Sequence, residues 1–155
     1  MISPEVLRRY PIFGFLNDEQ LRSLAMNSEE LSYPSGVTLF KEGQPAQHLY
    51  FLMEGSIELV MTAQDEIASP PLKEFTVGTI NPGEPFSISV CIEPYRLTAD
   101  ARTMADSRVI RIDGKALQEM CAQDKNFAFH FMHALARAAV ERLNATRIQL
   151  AAAWA

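Results

Sequence analysis

The sequence has few of the residues that mark a disulfide-stabilised, membrane-spanning or nucleic-acid-binding protein. Its 155 residues include two cysteines, Cys91 and Cys121, which form no C-x-x-C pair and indicate neither a disulfide framework nor a zinc site. No apolar run reaches the roughly 18 residues that a membrane span needs, and the first ten residues lack the apolar core of a signal peptide. A net charge of −5 argues against a dedicated nucleic-acid-binding surface, which is normally basic. We therefore expect a soluble, cytoplasmic protein of one domain that does not bind membranes.

The motifs of common enzyme classes are also missing. The sequence contains no G-x-S-x-G, no Walker loop and no H-E-x-x-H. A cupin-type metal site needs an H-x-H with a nearby glutamate and a later histidine, and His48 is the only histidine in the β-rich part of the chain. His130 and His133 have a helical spacing that suits a metal, but no third ligand accompanies them. We expect no enzyme activity, no metal and no cofactor.

Two short helices are predicted within residues 1–28. Ser3, Pro4 and Glu5 combine a capping hydroxyl, a proline at the first helical position and an acidic first turn, and the helix should run to about residue 10. Asn17, followed by acidic and amide residues, predicts the start of a second helix. Both helices are expected to be scaffold.

Between residues 29 and 112, short β-rich runs alternate with Gly, Pro, Asn and Asp. This spacing predicts an antiparallel sandwich or jelly roll. The polar stretch Ala63–Pro71 is predicted to be an exposed hairpin loop. The strand candidates are Thr38–Lys41, His48–Met53, Ile57–Met61, Leu72–Val77, Phe86–Cys91, Ala99–Met104 and Arg108–Ile112.

Residues 113–155 are predicted to be helical. Asp113 caps a helix that runs to about residue 122, and Asp124 can cap a longer one that reaches about residue 153 without glycine or proline. This long helix carries a heptad stripe, which predicts a homodimer seam. A second side, with Phe127, Phe131 and Leu135, can pack on the domain itself. The seam residues are Met132, Ala136, Ala139, Leu143, Thr146 and Leu150, and the spacing continues to Ala153.

Short motifs recur from Ser35 onward, and most of them contain a glycine. The glycine-containing ones are Gly36, Glu42-Gly43-Gln44, Tyr50-Phe51-Leu52-x-x-Gly55 and Pro82-Gly83-Glu84, and Asp106-Ser107-x-Val109 follows them. In this order they resemble the cyclic nucleotide-binding domain family, and the resemblance covers essentially the whole chain. It implies a mainly β, α+β fold, in which an antiparallel double-stranded β-helix (a jelly roll or β-roll) is flanked by two short N-terminal helices and by C-terminal helices, the last one long.

The resemblance also implies a site for cyclic AMP or cyclic GMP inside the roll. The family's phosphate cassette reads roughly F-G-E-(L/I)-A-L and then R-(T/S)-A. Backbone amides of a short helical turn face the cyclic phosphate, the glutamate accepts from the ribose 2′-hydroxyl, and the arginine and Thr/Ser bind the phosphate. The matching positions here, which become candidate ligand contacts, are Phe86, Ser87, Ile88, Ser89, Arg96, Leu97, Thr98 and Ala99.

The cassette departs from the family pattern at three places. Ser87 replaces the glycine, and Ile88 replaces the glutamate and cannot accept a hydrogen bond. Counting back from Asp106-Ser107 places the family arginine at Leu97, so Arg96 is one residue early, and one residue of shift on a strand is a change of face. Losing the charge-assisted ribose bond, worth about 1.5–3 kcal/mol, would weaken binding by roughly ten- to a hundredfold.

Within the long helix, Arg142-Leu143-x-x-Thr146 resembles the stretch where family members cap the purine with a threonine. Thr146 is therefore a candidate for both the ligand site and the seam. Transcription factors of this family append a winged helix-turn-helix after the long helix. This sequence stops at Trp154-Ala155, so we expect no DNA binding.

These observations leave two functional hypotheses. The first is a stand-alone, dimeric sensor domain that binds a cyclic nucleotide or a related small anionic ligand and signals through its C-terminal helix to a protein effector. The alternative is a degenerate β-roll that has lost the ligand and acts as a dimeric protein-interaction module. A jelly-roll enzyme lacks any supporting set of residues.

Overall fold

Two four-stranded antiparallel sheets face each other in the computed structural model, which describes residues 1–64, 67 and 72–155. The first sheet has the order β1-β8-β3-β6 and the second the order β2-β7-β4-β5. The predicted jelly roll is thus confirmed. The strands are β1 (Ser28–Tyr33), β2 (Thr38–Phe40), β3 (His48–Glu54), β4 (Ile57–Gln64), β5 (Leu72–Ile80), β6 (Pro85–Phe86), β7 (Asp100–Thr103) and β8 (Ser107–Asp113).

Four α-helices flank the roll, and side chains at their first turns explain where they begin. The helices are α1 (Pro4–Arg8), α2 (Asp18–Met26), α3 (Gly114–Gln123) and α4 (Lys125–Ala153). Asn17 and Gln20 form a capping box at α2, since Gln20 N donates to Asn17 Oδ1 over 2.8 Å and Asn17 N to Gln20 Oε1 over 3.0 Å. Asp113 and Asp124 accept hydrogen bonds from the first turns of α3 and α4. The predicted caps are confirmed, and α1 ends two residues earlier than expected.

Alternation along β3 divides the core into two clusters. Leu49 and Phe51 face the helices and belong to an outer cluster between the first sheet and the helices. Tyr50 and Leu52 face the second sheet and belong to an inner cluster inside the roll. Successive side chains of a strand point to opposite faces, so one strand serves both clusters. The inner cluster also contains Phe86, which stacks on Tyr50 with ring centroids 5.1 Å apart.

Two strand predictions need correction. The run Phe86–Cys91 is not a strand: β6 ends at Phe86, and Ile88–Cys91 form a 3-10 helical turn, here called the cassette turn. The reason is Ser87, whose left-handed backbone (φ 62°, ψ 39°) ends the extended run. Conversely, β1 is a strand that the β-rich pattern did not include. It pairs only with β8 at the edge of its sheet, where polar side chains remain exposed.

The predicted loop Ala63–Pro71 lies mostly outside the described residues. Its first two residues, Ala63 and Gln64, continue β4.

At the other end of β4, Gly55 makes the turn from β3 with φ +100°, and a Cβ there would lie 2.6 Å from the Asp106 carbonyl oxygen. Within the described part of the chain, no helix combines the length and the apolar character that crossing a membrane requires.

Candidate functional site

The cassette turn is fixed to the roll at one end and to α3 at the other. The Ser87 hydroxyl donates to the His48 carbonyl over 2.8 Å, which ties the left-handed residue to β3. Gln118 Nε2 of α3 donates to the Val90 carbonyl over 3.1 Å. Gly114 allows close approach here, because a Cβ on it would lie 2.5 Å from Val90 Cγ2. The turn is therefore positioned by contacts that depend on small residues and short side chains.

Ile88 packs against the outer cluster, between the first sheet and the helices. It occupies the position where the family pattern has the ribose glutamate, and it contributes apolar contact in place of an acceptor. Ser87 and Ser89 on either side of it are half-buried, and Phe86 is fully buried in the inner cluster. Of these four candidate contacts, Ser87 lines the cavity between the two sheets that is described below.

The segment that follows the cassette turn, between it and β7, places Leu97, and not Arg96, on the inside. Leu97 is 6% exposed and Ala99 is 8% exposed, whereas Arg96 and Thr98 are exposed. Backbone bonds fix this register, because Gly43 N donates to the Leu97 carbonyl over 2.8 Å and Leu97 N to the Gln44 carbonyl over 2.9 Å. Arg96 donates through Nη1 to the Gly43 carbonyl over 2.9 Å. Its guanidinium therefore lies on the outer surface.

A cavity of about 210 Å³, here called the cassette cavity, opens between the two sheets beside Ser87. Apart from Ser87, its polar lining comes from residues that the sequence did not single out for ligand contact, above all Arg111. The alternation of Val109 and Arg111 on β8 is the signal that could have found it, because Val109 belongs to the inner cluster. The lining residues are Leu39, Phe40, Gln44, Pro45, Gln47, His48, Tyr50, Ser87, Leu97 and Arg111.

The cassette cavity contains one cation and several neutral polar groups. Burial alone would lower the pKa of Arg111, but hydrogen bonds with Glu29 and Tyr50 raise it above its ordinary value. Burial and the nearby Arg111 charge lower the pKa of His48, so its imidazole is neutral at pH 7. Burial raises the pKa of Tyr50, which keeps its phenol protonated. Such a lining suits a small anion.

Helix α4 contacts the roll just before the cassette turn. Arg142 Nη2 donates to the Pro85 carbonyl, while the buried Nε atom of Arg142 has no hydrogen-bond partner among the described residues. Burial lowers the pKa of Arg142, and the Glu84 carboxylate opposes this effect. The Thr146 hydroxyl lies 2.9 Å from the Arg142 carbonyl and 3.4 Å from the Val77 carbonyl. Thr146 therefore faces its own roll, and it is not among the residues that line the cavity beside Ser87.

The seam of α4 is largely uncovered. Phe127, Phe131 and Leu135 are buried against the outer cluster, as the second side of the helix predicted. Leu143 is 48% exposed and Leu150 is 58% exposed. Of the other seam positions, Ala136 and Ala139 are exposed, and Met132 and Thr146 are half-buried.

Outside the cassette cavity, the reactive side chains include possible metal ligands and the two cysteines. Among the described residues, no three His, Cys, Asp or Glu side chains are grouped to hold a metal ion. Burial raises the pKa of the Cys91 thiol to about 12, and the neighbouring Cys121 adds to this effect. Both cysteines are half-buried free thiols, as expected for packing residues.

Comparison with known proteins agrees with this architecture. The sequence profile of the family described as "Cyclic nucleotide-binding domain" matches residues 30–124. The chain belongs to the cyclic nucleotide-binding domain family. A solved structure from Geobacter metallireducens GS-15, named for cyclic nucleotide binding, is 38% identical, with a TM-score of 0.79, and the match covers 92% of this chain and 99% of that one.

Several relatives are named as regulatory proteins. The chain is 26% identical over 147 residues to the "CRP-like cAMP-activated global transcriptional regulator" of Mycobacterium tuberculosis, a match that covers 95% of this chain and 61% of the regulator's length. The regulatory domain of Toxoplasma gondii PKA, solved with cAMP, is 16% identical with a TM-score of 0.61 and shares the fold. That match covers 75% of this chain and 42% of the other.

Proposed function

We propose that this chain is a regulatory sensor domain that binds a cyclic nucleotide or a related small anionic ligand inside its β-roll and signals through α4. The observation that carries the proposal is the contact of α4 with the segment before the cassette turn. Arg142 donates to the Pro85 carbonyl, and Thr146 lies beside the Val77 carbonyl. A ligand that displaces the cassette turn would change these contacts and so reorient the helix. The regulatory names of the curated relatives support this assignment.

A thermal-shift titration with cyclic AMP and cyclic GMP tests the binding step, with linear 5′-AMP as the matched control. A ligand at about 100 times its Kd adds about 2.7 kcal/mol of stability, which for a domain of this size is a shift of about 5–10 °C. We expect such a shift with a cyclic nucleotide and a smaller one with linear 5′-AMP. The absence of any shift at millimolar concentration would refute cyclic nucleotide binding.

The signalling step requires that the ligand prefer one arrangement of α4 over another, because a ligand shifts an equilibrium only by its differential affinity. Hydrogen exchange of the α4 amides, measured with and without ligand, reports such a change. We expect altered exchange around Arg142 and Thr146 in the ligand-bound protein. Unchanged exchange in a saturated sample would leave the chain as a binding domain and would refute signalling through α4.

We also propose that the exposed seam of α4 pairs with a second copy of this chain. The stripe has coiled-coil spacing over three repeats, and its leucines Leu143 and Leu150 lie in solvent. Sedimentation equilibrium should give the mass of a dimer, and Leu143→Glu should give the mass of one chain. Ile148→Glu is the matched control, because Ile148 is 62% exposed on the same helix but lies outside the stripe. A wild-type mass of one chain would refute the dimer.

A ligand-free interaction module is the second candidate function. It is favoured by the size of the cassette cavity, about 210 Å³, because pockets for drug-sized ligands span roughly 300–1,000 Å³. The titration separates the two functions, since a module without a ligand shows no shift with any phosphorylated compound. In both cases the output would go to a protein effector.

A further inference from the structure

The cassette cavity is lined by a positively charged side chain, but that side chain does not come from the segment where the family pattern has its phosphate-binding arginine. The family arginine position is Leu97, an apolar residue that lines the cavity, and Arg96 beside it lies on the outer surface. An anion that enters the cavity through contact with Ser87 therefore meets no guanidinium from the segment between the cassette turn and β7.

Arg111, on β8 of the first sheet, supplies a positive charge to the cavity. In the register of the first sheet it lies opposite Tyr50 of β3 and Glu29 of β1. Its neighbour two positions earlier, Val109, is buried in the inner cluster, so the alternation of β8 directs Arg111 to the same interior face. Of the described residues that line the cavity, Arg111 alone is charged at pH 7, because the His48 imidazole is neutral.

We propose that Arg111, and not Arg96, is the anion-binding residue of this domain, and that it receives the phosphate of the ligand together with the polar groups of Tyr50 and Ser87. This inference rests on the proposed function and names the residue that carries it. A guanidinium suits this task because its planar donors match two phosphate oxygens at once.

Glu29 holds Arg111 in place while no anion is bound. Arg111 Nε donates to Glu29 Oε1 over 2.8 Å, and Nη2 contacts the same oxygen. The pair is partly exposed, with 28% of the Arg111 side chain and 47% of the Glu29 side chain accessible. Partly exposed ion pairs contribute little to the free energy of folding. An anion bound inside the cavity, where water is excluded, can therefore compete with the Glu29 carboxylate for Arg111. Glu29 is therefore a positioning residue that also lowers anion affinity.

Isothermal titration calorimetry with cyclic AMP, cyclic GMP and inorganic phosphate tests the inference on four variants. Arg111→Gln should weaken binding by about 10- to 100-fold, the loss expected for a charge-assisted hydrogen bond. Arg96→Gln should remain within about twofold of the wild type. Arg108→Gln is the matched control, because it removes the same charge from the same strand at a residue paired with Glu30 and Glu54. Glu29→Gln should strengthen binding.

The outcomes separate the two claims. Loss of affinity in Arg96→Gln, with Arg111→Gln unchanged, overturns the inference and leaves the proposed function intact. Phosphate binding that requires Arg111, without binding of either cyclic nucleotide, supports the inference and refutes a cyclic nucleotide as the ligand. No binding of any of the three probes overturns both. Should Arg111→Gln fail to fold, Glu29→Gln decides, since unchanged affinity in that variant contradicts competition between Glu29 and the anion.

Discussion

Ser87 combines a strained backbone with a hydrogen bond, and two substitutions separate these contributions. Its φ of 62° places a residue with a Cβ in the left-handed region, which costs about 1–2 kcal/mol relative to glycine. Its hydroxyl donates to the His48 carbonyl over 2.8 Å, a bond that contributes about 0.5–1.5 kcal/mol. The two effects have opposite signs and similar size.

Ser87→Ala keeps the strain and loses the bond, so we expect a destabilisation of about 1 kcal/mol. Ser87→Gly loses the same bond and relieves the strain, but it adds about 0.5–1 kcal/mol of chain entropy to the unfolded state. Its net change should therefore lie near zero. The glycine variant should be the more stable of the two by about 1 kcal/mol, which is roughly 0.5 M in urea midpoint.

Urea unfolding of both variants measures the difference, and Ser89 provides the matched control. Ser89 lies inside the cassette turn and is not among the residues with positive φ. Glycine should therefore be the less stable substitution at Ser89, because it loses more entropy on folding. The same order of stability at both positions would refute the strain argument for Ser87.

Three further predictions concern the surroundings of the cassette turn. Gly114→Ala should lower the free energy of unfolding by about 1–3 kcal/mol, since the new Cβ would lie 2.5 Å from Val90 Cγ2; a stability equal to the wild type in urea would contradict the close approach. With a pKa of about 12, Cys91 should hold only about 1 in 10⁴ molecules as thiolate at pH 8, so iodoacetamide should modify it far more slowly in the native than in the denatured protein. Thr146→Val should weaken binding of an adenine nucleotide, measured by calorimetry; unchanged affinity would remove Thr146 from the site.

Local signals account for the parts of the fold that the sequence predicted. Asn17, Asp113 and Asp124 begin helices because their side chains accept from amides three residues ahead, and that geometry depends on neighbours in the chain alone. The positive φ of Gly55 is a local requirement as well, although its close approach to Asp106 is not. The error at Phe86–Cys91 arose because apolar and β-branched residues predict a strand, whereas the left-handed Ser87 depends on a bond to His48, which lies 39 positions away.

The candidate site was harder to predict because its charge comes from a distant strand. The family pattern directs attention to the segment after the cassette, where Arg96 is one residue from the inward position. Only the pairing of residues 43–46 with residues 95–97 shows that Leu97 is inside. Arg111 lies 14 positions further along and enters the cavity because β8 pairs with β3. The alternation of residues along β8 predicts that Arg111 faces the interior of the roll, but it does not predict which cavity Arg111 lines.

A charge exchange between Leu97 and Arg111 tests whether the cavity accepts one guanidinium from either side. In a cavity of about 210 Å³ the new guanidinium would lie close to that of Arg111. Two such groups roughly 6 Å apart repel by about 3 kcal/mol at an effective dielectric constant of 20, and Glu29, which pairs with Arg111, offsets a part of this repulsion. Leu97→Arg alone should therefore destabilise the ligand-free protein. Adding Arg111→Gln should restore a large part of that loss in urea unfolding, because it removes the repulsion, and the double variant should bind phosphate through the family position. If the double variant is no more stable than Leu97→Arg, the two positions do not share a cavity, and the assignment of Arg111 as the anion-binding residue of the cassette cavity is wrong.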